Sequence, residues 1–186
     1  MAHVFLAGMM GSGKTTITQL LSRQLSVPCY DLDKLVSQRM RKSVSEIFRR
    51  DGQERFREIE AAVLRENLKN PDGIWALGGG TLTTPGIPEL LREHGLLLFL
   101  SVPLEVLANR VAGDKSRPLL NECTTQEERL QRLTELYEER KTTYQLCEVE
   151  IQLDGSEPPE IAASIVLQEV ERRGFVFHPA ASTRNS

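Results

Sequence analysis

Near the start of the chain, "HVFLA" (3–7) runs directly into "GMMGSGKTT" (8–16) and on into "KTTITQLLSRQL" (14–25). The first stretch is apolar enough for a buried strand, and in the last Ile17, Leu20, Leu21 and Leu25 recur at helical spacing. Gly8, Gly13, Lys14 and Thr15 fall on G-x-x-x-x-G-K-[ST], with Gly11 inside the loop. Such a loop must curl its backbone close around phosphate oxygens, and side chains would block that approach. Its N–H groups then converge at the head of a helix, where the dipole favours an anion. The spacing therefore predicts a nucleotide site, ATP or GTP, held by Gly11, Ser12, Gly13, Lys14, Thr15 and Thr16. Lys14 would bridge the outer phosphates, and the Thr15 hydroxyl would bind Mg²⁺. A glycine turn without a ligand would need neither the lysine nor the hydroxyl.

The same alternation continues along the chain. Strands are expected at 28–33, 74–77, 96–102 and 148–154. Between them, Ser43 and Glu46 form a capping box. A charged helix over roughly 52–69 carries Phe56, Ile59, Val63 and Leu64 on one face. Further helices are expected at 88–95, closed by Gly95 in the C′ position, at 103–111 and at 159–173. Strands apolar on both faces, alternating with helices, imply an α/β three-layer sandwich: a parallel sheet with helices on both sides. Ligands in such sheets collect at the carboxyl ends of the strands. Two loops stand out for that edge, "GGGTLTTPG" (78–86) and the long polar "AGDKSRPLLNECTT" (112–125).

The 186 residues fit one domain with a substantial core and show no linker or repeat. With 23 Lys and Arg against 26 Asp and Glu, the net charge is −3. No basic stripe or aromatic platform suggests nucleic acid, and no apolar run is long enough to span a bilayer. The first residues lack a secretion-signal pattern, and Cys29, Cys123 and Cys147 lack metal-ligand spacing. The expectation is a cytoplasmic monomer with reduced thiols and a loosely held tail at 174–186. His3, His94 and His178 are isolated and read as structural or solvated, and Trp75 reads as core.

Asp31 and Asp33, in "DLD", are expected to end the second strand, where residues two apart face the same way. One would meet Mg²⁺ through water and the other accept a proton from a substrate hydroxyl; alternatively, both are solvated acids at a strand end that caps a helix. Arg57 lies on the charged helix with Glu60 three residues on, placed to brace it. Arg140 lies near the end of another charged helix, and Arg117 in the long loop. Singly, each arginine fits a solvated face. Two arginines reaching one cleft with two aspartates would suit an acceptor bearing a carboxylate and hydroxyls, because guanidinium grips carboxylate with paired hydrogen bonds. Gly78, Gly79 and Gly80 would let backbone N–H groups approach that ligand.

"GMMGSGKTT", "DLD", "SVSEIFRRDGQERFREIE", "ALGGGTL", "SRPLL" and "ER" followed by "TYQ" occur in the order found in shikimate kinases, and the chain resembles that family over about residues 4–158. The resemblance implies a nucleoside-monophosphate-kinase-like fold with a five-stranded parallel sheet, a lid at about 112–125 and a substrate-binding helical segment at about 33–60. It implies transfer of phosphate from ATP to the 3-hydroxyl of shikimate, in aromatic amino-acid biosynthesis, with Mg²⁺. In its terms Asp33 is the substrate-binding carboxylate and base. Arg57 and Arg140 are the carboxylate clamp, with Gly78, Gly79 and Gly80 in the same pocket. Asp31 is the water-mediated Mg²⁺ partner beside Thr15. Arg117 is the lid arginine, with Lys14 also catalytic; Arg110 stacks on adenine, and 153–160 is the adenine loop. Val36, in place of the family's isoleucine, and "TTY", in place of "PLY", depart from its pattern. Among rival small-molecule kinases of similar build, such as gluconate or nucleotide kinases, the acceptor pocket discriminates: gluconate kinases would not be expected to carry the D-x-D, "FREIE" and triple-glycine set together. The presence of Asp33 and Arg117 together with Lys14 argues against a module using ATP only as a switch.

Overall fold

A computed structural model describes residues 3–114, 116–175 and 177. Strands β1 (His3–Gly8), β2 (Cys29–Asp31), β3 (Ile74–Ala76), β4 (Gly95–Ser101) and β5 (Val149–Gln152) form one sheet in the order β2–β3–β1–β4–β5. Every pairing is parallel, with Val4 opposite Ile74 on one side and Leu96 on the other. The helices are α1 (Lys14–Leu25), α2 (Leu32–Met40), α3 (Val44–Asn67), α4 (Ile87–His94), α5 (Leu104–Arg110), α6 (Gln126–Tyr144) and α7 (Pro159–Arg172). In the connections α1 packs against α7, α2 against α3 and α5 against α6. β1 and β3 are buried along their whole length, and β4 is buried from Leu96 to Leu100, as the expected apolar runs require. The edge strand β5 departs from that expectation. It alternates, with Val149 and Ile151 buried and Glu150 and Gln152 exposed, because only one of its faces is covered.

Two local expectations are corrected. The second strand stops at Asp31, and Asp33 lies in the first turn of α2, a helix that the sequence reading took for the end of a strand. The Asp31 side chain accepts from the Lys34 N–H at 3.1 Å, so the helix-cap reading of this acid holds. Gly95 is not a left-handed helix terminus. Its φ of 166° is extended backbone and it opens β4; a Cβ there would overlap the backbone of His3, its partner on β1. Close approach of two strands, not helix termination, demands the glycine. The capping box at Ser43 forms as expected, and the helix it opens breaks at Gly52 (φ 81°, ψ 171°) before the charged segment begins.

Trp75 is fully buried. So is His3, whose Nδ1 accepts from Gly73 N–H (3.2 Å) and Trp75 Nε1–H (3.1 Å). Those two donors fix the tautomer, leaving Nε2–H to donate to the Leu68 carbonyl at 3.1 Å. His3 is therefore structural, while His178 lies outside the described residues. Of the expected tail, Phe175 and Phe177 are half-buried against the core, and 178–186 lie outside the described residues. Among the described residues no helix is long and apolar enough to cross a membrane.

Each strand feeds a functional loop from its carboxyl end. β1 runs into the glycine loop, β2 ends at Asp31, and β3 leads to Gly78–Gly80. β4 leads to α5 and Arg110, and β5 to the loop at 153–158.

Candidate active site

The glycine loop places Gly11 and Gly13 at positive φ (82° and 91°), and Gly13 leads into the first turn of α1. Lys14 folds back over this loop. Its Nζ donates to the Gly8 carbonyl (2.8 Å), the Met9 carbonyl (2.9 Å) and Ser12 Oγ (3.3 Å). Burial pulls the ammonium down to about 8; Asp33 opposes that shift, Arg117 and Arg140 add to it, and Asp31 opposes it. At the next residue, Thr15 Oγ1 donates to Asp31 Oδ2 at 2.8 Å. Asp31 thus spends one oxygen on the cap of α2 and the other on the loop hydroxyl.

Asp33, in the first turn of α2, lies against Gly78, where a Cβ would come within 3.0 Å of its Oδ1. Burial and the neighbouring Asp31 raise its pKa, against Lys14, Arg117 and Arg57. Two residues apart on a strand was the wrong geometry for the two acids. They nevertheless meet in one place, because the strand-to-helix turn brings the first helical turn back over the strand's end.

Arg57 projects from α3 toward the glycine triplet. Its Nη1 donates to Glu60 Oε2 at 2.5 Å, and Glu60, only 1% exposed, also accepts from Thr81 Oγ1 at 2.8 Å. Burial pushes Glu60 up in pKa while its Arg57 partner holds it down. Arg57 Nε is buried and has no hydrogen-bond partner among the described residues. The triplet is glycine for a reason that the sequence did not show. A Cβ at Gly78 would collide with Glu60 Oε1, and one at Gly80 with the Arg57 guanidinium, so the absent side chains make room for this ion pair. Arg140, 3% exposed on α6, donates from Nη1 to the Gly79 carbonyl at 3.1 Å.

Two cavities meet here. One, of about 740 Å³, is walled by Arg57, Arg140, the glycine triplet and, on its far side, Phe48 and Leu119. The other, of about 270 Å³, lies over the glycine loop and Lys14. Met10, Thr15, Asp31, Asp33, Gly79 and Arg117 line both. Arg117 reaches this junction from the long loop with its Nε held by Asp114 at 3.0 Å. A third cavity, of about 320 Å³, continues past Gly13 and Thr16 to Leu153 and Glu157. Arg110 borders it and ties its two sides together, donating to the Gly11 carbonyl (3.2 Å) and the Gly155 carbonyl (2.7 Å).

The residues singled out in the sequence therefore assemble at one edge of the sheet. Reading the sequence missed Thr81, Asp114 and Tyr144, which touch the named residues rather than the cavity's centre. Their spacing to those residues was the available signal: Asp114 three before Arg117 and Tyr144 one helical turn after Arg140. Among the described residues no group of three or more His, Cys, Asp or Glu could hold a metal ion. The oxygens at hand, the Thr15 hydroxyl and the Asp31 carboxylate, fit a hard cation that keeps water and takes its other ligands from phosphate, as Mg²⁺ does.

A phosphate-cradling loop beside a pocket lined by acids and arginines defines a P-loop kinase acting on a small acceptor. The family model for shikimate kinase matches residues 10–171. The shikimate kinase of Microcystis aeruginosa is 38% identical over 176 residues, covering 95% of this chain and 90% of that protein. That of Geobacter sulfurreducens is 37% identical over 163 residues, with 88% of each covered. Among solved structures, shikimate kinase from Acinetobacter baumannii in complex with shikimate superposes with a TM-score of 0.86 at 28% identity, covering 93% of this chain and 94% of that one. The enzyme from Bacteroides thetaiotaomicron gives 0.84 at 30%, covering 93% and 98%. The chain belongs to the shikimate kinase family.

Proposed function

We propose that this protein transfers the terminal phosphoryl group of ATP to the 3-hydroxyl of shikimate, giving shikimate 3-phosphate and ADP for aromatic amino-acid biosynthesis. The observation that carries the reading is the pair of arginines on the wall of the cavity that Asp33 enters. Among the described residues Arg57 keeps a buried Nε–H without a partner, and Arg140 spends Nη1 of its five-donor group on the Gly79 carbonyl. An anionic acceptor with a carboxylate uses those donors; a neutral sugar leaves them unmet.

In this reading the chemistry is in-line phosphoryl transfer, dominated by positioning and charge neutralisation. The backbone N–H groups of Gly11, Ser12 and Gly13 cradle the phosphates with the help of Thr16. Lys14 exchanges its loop carbonyls for phosphate oxygens. Arg57 and Arg140 hold the acceptor's carboxylate, Gly78–Gly80 form the floor, and Asp33 orients the hydroxyl and takes its proton late. The raised pKa of Asp33 suits that task better than an ordinary carboxylate's would. Mg²⁺, held by Thr15 and through water by Asp31, supplies charge neutralisation on the phosphates. Arg117 does the same from a lid spanning about 112–125, which closes over a helical acceptor segment at about 33–60 and excludes water. Ser45 Oγ already donates to the Ser116 carbonyl at 3.1 Å, joining these two segments. Arg110 and the 153–160 loop take the adenine. The protein works as a cytoplasmic monomer; its three unpaired cysteines suit a reducing compartment.

ADP release with Mg·ATP tests this, run in parallel with no acceptor, shikimate, gluconate, and AMP or CMP. Turnover with shikimate alone is expected. Turnover with another acceptor keeps the fold and overturns the pocket.

A further inference from the structure

Tyr144 ends α6 one turn after Arg140, and no step above uses it. It is 5% exposed and its ring stacks on Phe99, centroids 4.4 Å apart and planes inclined by 16°. Its hydroxyl donates to the Gly79 carbonyl at 2.7 Å and lies 3.4 Å from the Met9 sulfur. The same carbonyl accepts from Arg140 Nη1 at 3.1 Å. Two donors from successive turns of one helix thus converge on one peptide oxygen.

That peptide joins Gly79 to Gly80, and glycine peptides reorient more readily than others because no Cβ restricts them. A peptide unit is planar, so the direction of the Gly79 carbonyl sets that of the Gly80 N–H, which points the opposite way. Gly80 lines the acceptor cavity, and Gly79 lines both cavities. Arg140 is itself buried, and burial disfavours its charge, so the position of its guanidinium depends on the few partners it has. Its guanidinium donates to this carbonyl, and the Tyr144 oxygen beside it favours its charge against burial.

We propose that Tyr144 is a positioning residue for the acceptor: its hydroxyl pins the Gly79 carbonyl, which in turn seats Arg140 and aims the Gly80 N–H. The proposal rests on the reading of Arg140 as half of the carboxylate clamp. The test is Tyr144→Phe, which keeps the stacked ring and removes only the hydroxyl, with Arg140→Lys measured beside it. KM and the calorimetric Kd for shikimate should rise about fivefold in Tyr144→Phe, the ratio that loss of one ordinary hydrogen bond gives. Its kcat and KM for ATP should stay within about twofold and its melting temperature within a few degrees. A purely packing role would not produce that split.

If shikimate affinity is unchanged in Tyr144→Phe but falls in Arg140→Lys, the clamp stands and the role of Tyr144 is overturned. If neither variant alters shikimate affinity, the clamp reading falls and takes the proposal with it. If kcat and both KM values move together with a lower melting temperature, Tyr144 is a packing residue and the proposal is overturned.

Discussion

ATP binding should take up a proton, and Lys14 sets how much. In the free protein burial lowers its pKa from the ordinary 10.5 to about 8. Phosphate oxygens beside the ammonium favour its charged form and return the pKa toward 10.5 or above. With those two values Lys14 is about 90% charged at pH 7 in the free protein but only about 10% charged at pH 9, while in the complex it is charged at both. Binding at pH 9 should therefore take up about 0.9 proton, against about 0.1 at pH 7. The affinity contributed by this group is whole below pH 8 and is lost as pH rises toward 10.5, a fall of about tenfold between pH 7 and 9. Stability runs the opposite way. Between pH 8 and 10.5 the unfolded chain holds a proton on Lys14 that the folded chain does not, so this group's contribution to stability rises with pH. The assay is isothermal titration of ATP without acceptor in two buffers of very different ionisation enthalpy, at pH 7 and pH 9. Lys14→Met serves as the control and should show no pH-dependent uptake. Less than about 0.2 proton at pH 9 in the unmutated protein would refute the argument, because it would mean that Lys14 keeps an ordinary pKa despite its burial.

Asp33→Asn should lower kcat by about two to four orders of magnitude, the range for a lost general base, while the Kd for ATP stays within about twofold; wild-type turnover removes Asp33 from the proton's path. Arg57→Lys keeps a charge near Glu60 but loses the fork, and should raise the KM for shikimate about tenfold or more with little change in kcat. An unchanged KM would take Arg57 out of the clamp. Gly95→Ala should destabilise the protein by about 1–3 kcal/mol through the clash with the His3 backbone, lowering the melting temperature by roughly 2–12 °C. Its kcat at 25 °C should be that of the unmutated chain, since the clash lies at the amino end of β4, away from the site.

The parts of this molecule that were legible in the sequence are those governed by local chemistry. A phosphate-binding loop needs its glycines, lysine and hydroxyl in a fixed order whatever lies around it, and a capping box needs only residues three apart. The Arg57–Glu60 pair was equally readable, because one turn of helix makes the two neighbours. What the sequence hid depends on which segments meet. Gly95 looked like a helix stop, and nothing beside it in the chain says that His3, 92 positions earlier, leaves no room for a Cβ. The glycine triplet looked like a bare approach to the ligand, whereas its missing side chains make space for Glu60 and Arg57.

Asp33 is the instructive intermediate. The acid was found through a geometry that it does not have, since it lies on a helix and not on a strand. It lies at the junction of the two cavities all the same, because the sheet-edge rule constrains its place more tightly than the secondary structure does. A carboxylate just past the carboxyl end of a strand beside the glycine loop has few places to go. Once there, it is desolvated, and its pKa rises by burial and by Asp31 against Lys14, Arg117 and Arg57. The opposing shifts on Asp33 and Lys14 share one cause, the junction of two cavities from which water is partly excluded. The fold therefore holds an acid readier to take a proton and an ammonium readier to lose one at this junction. In the proposed reaction ATP would restore the second, and the acceptor's hydroxyl would give the first its proton.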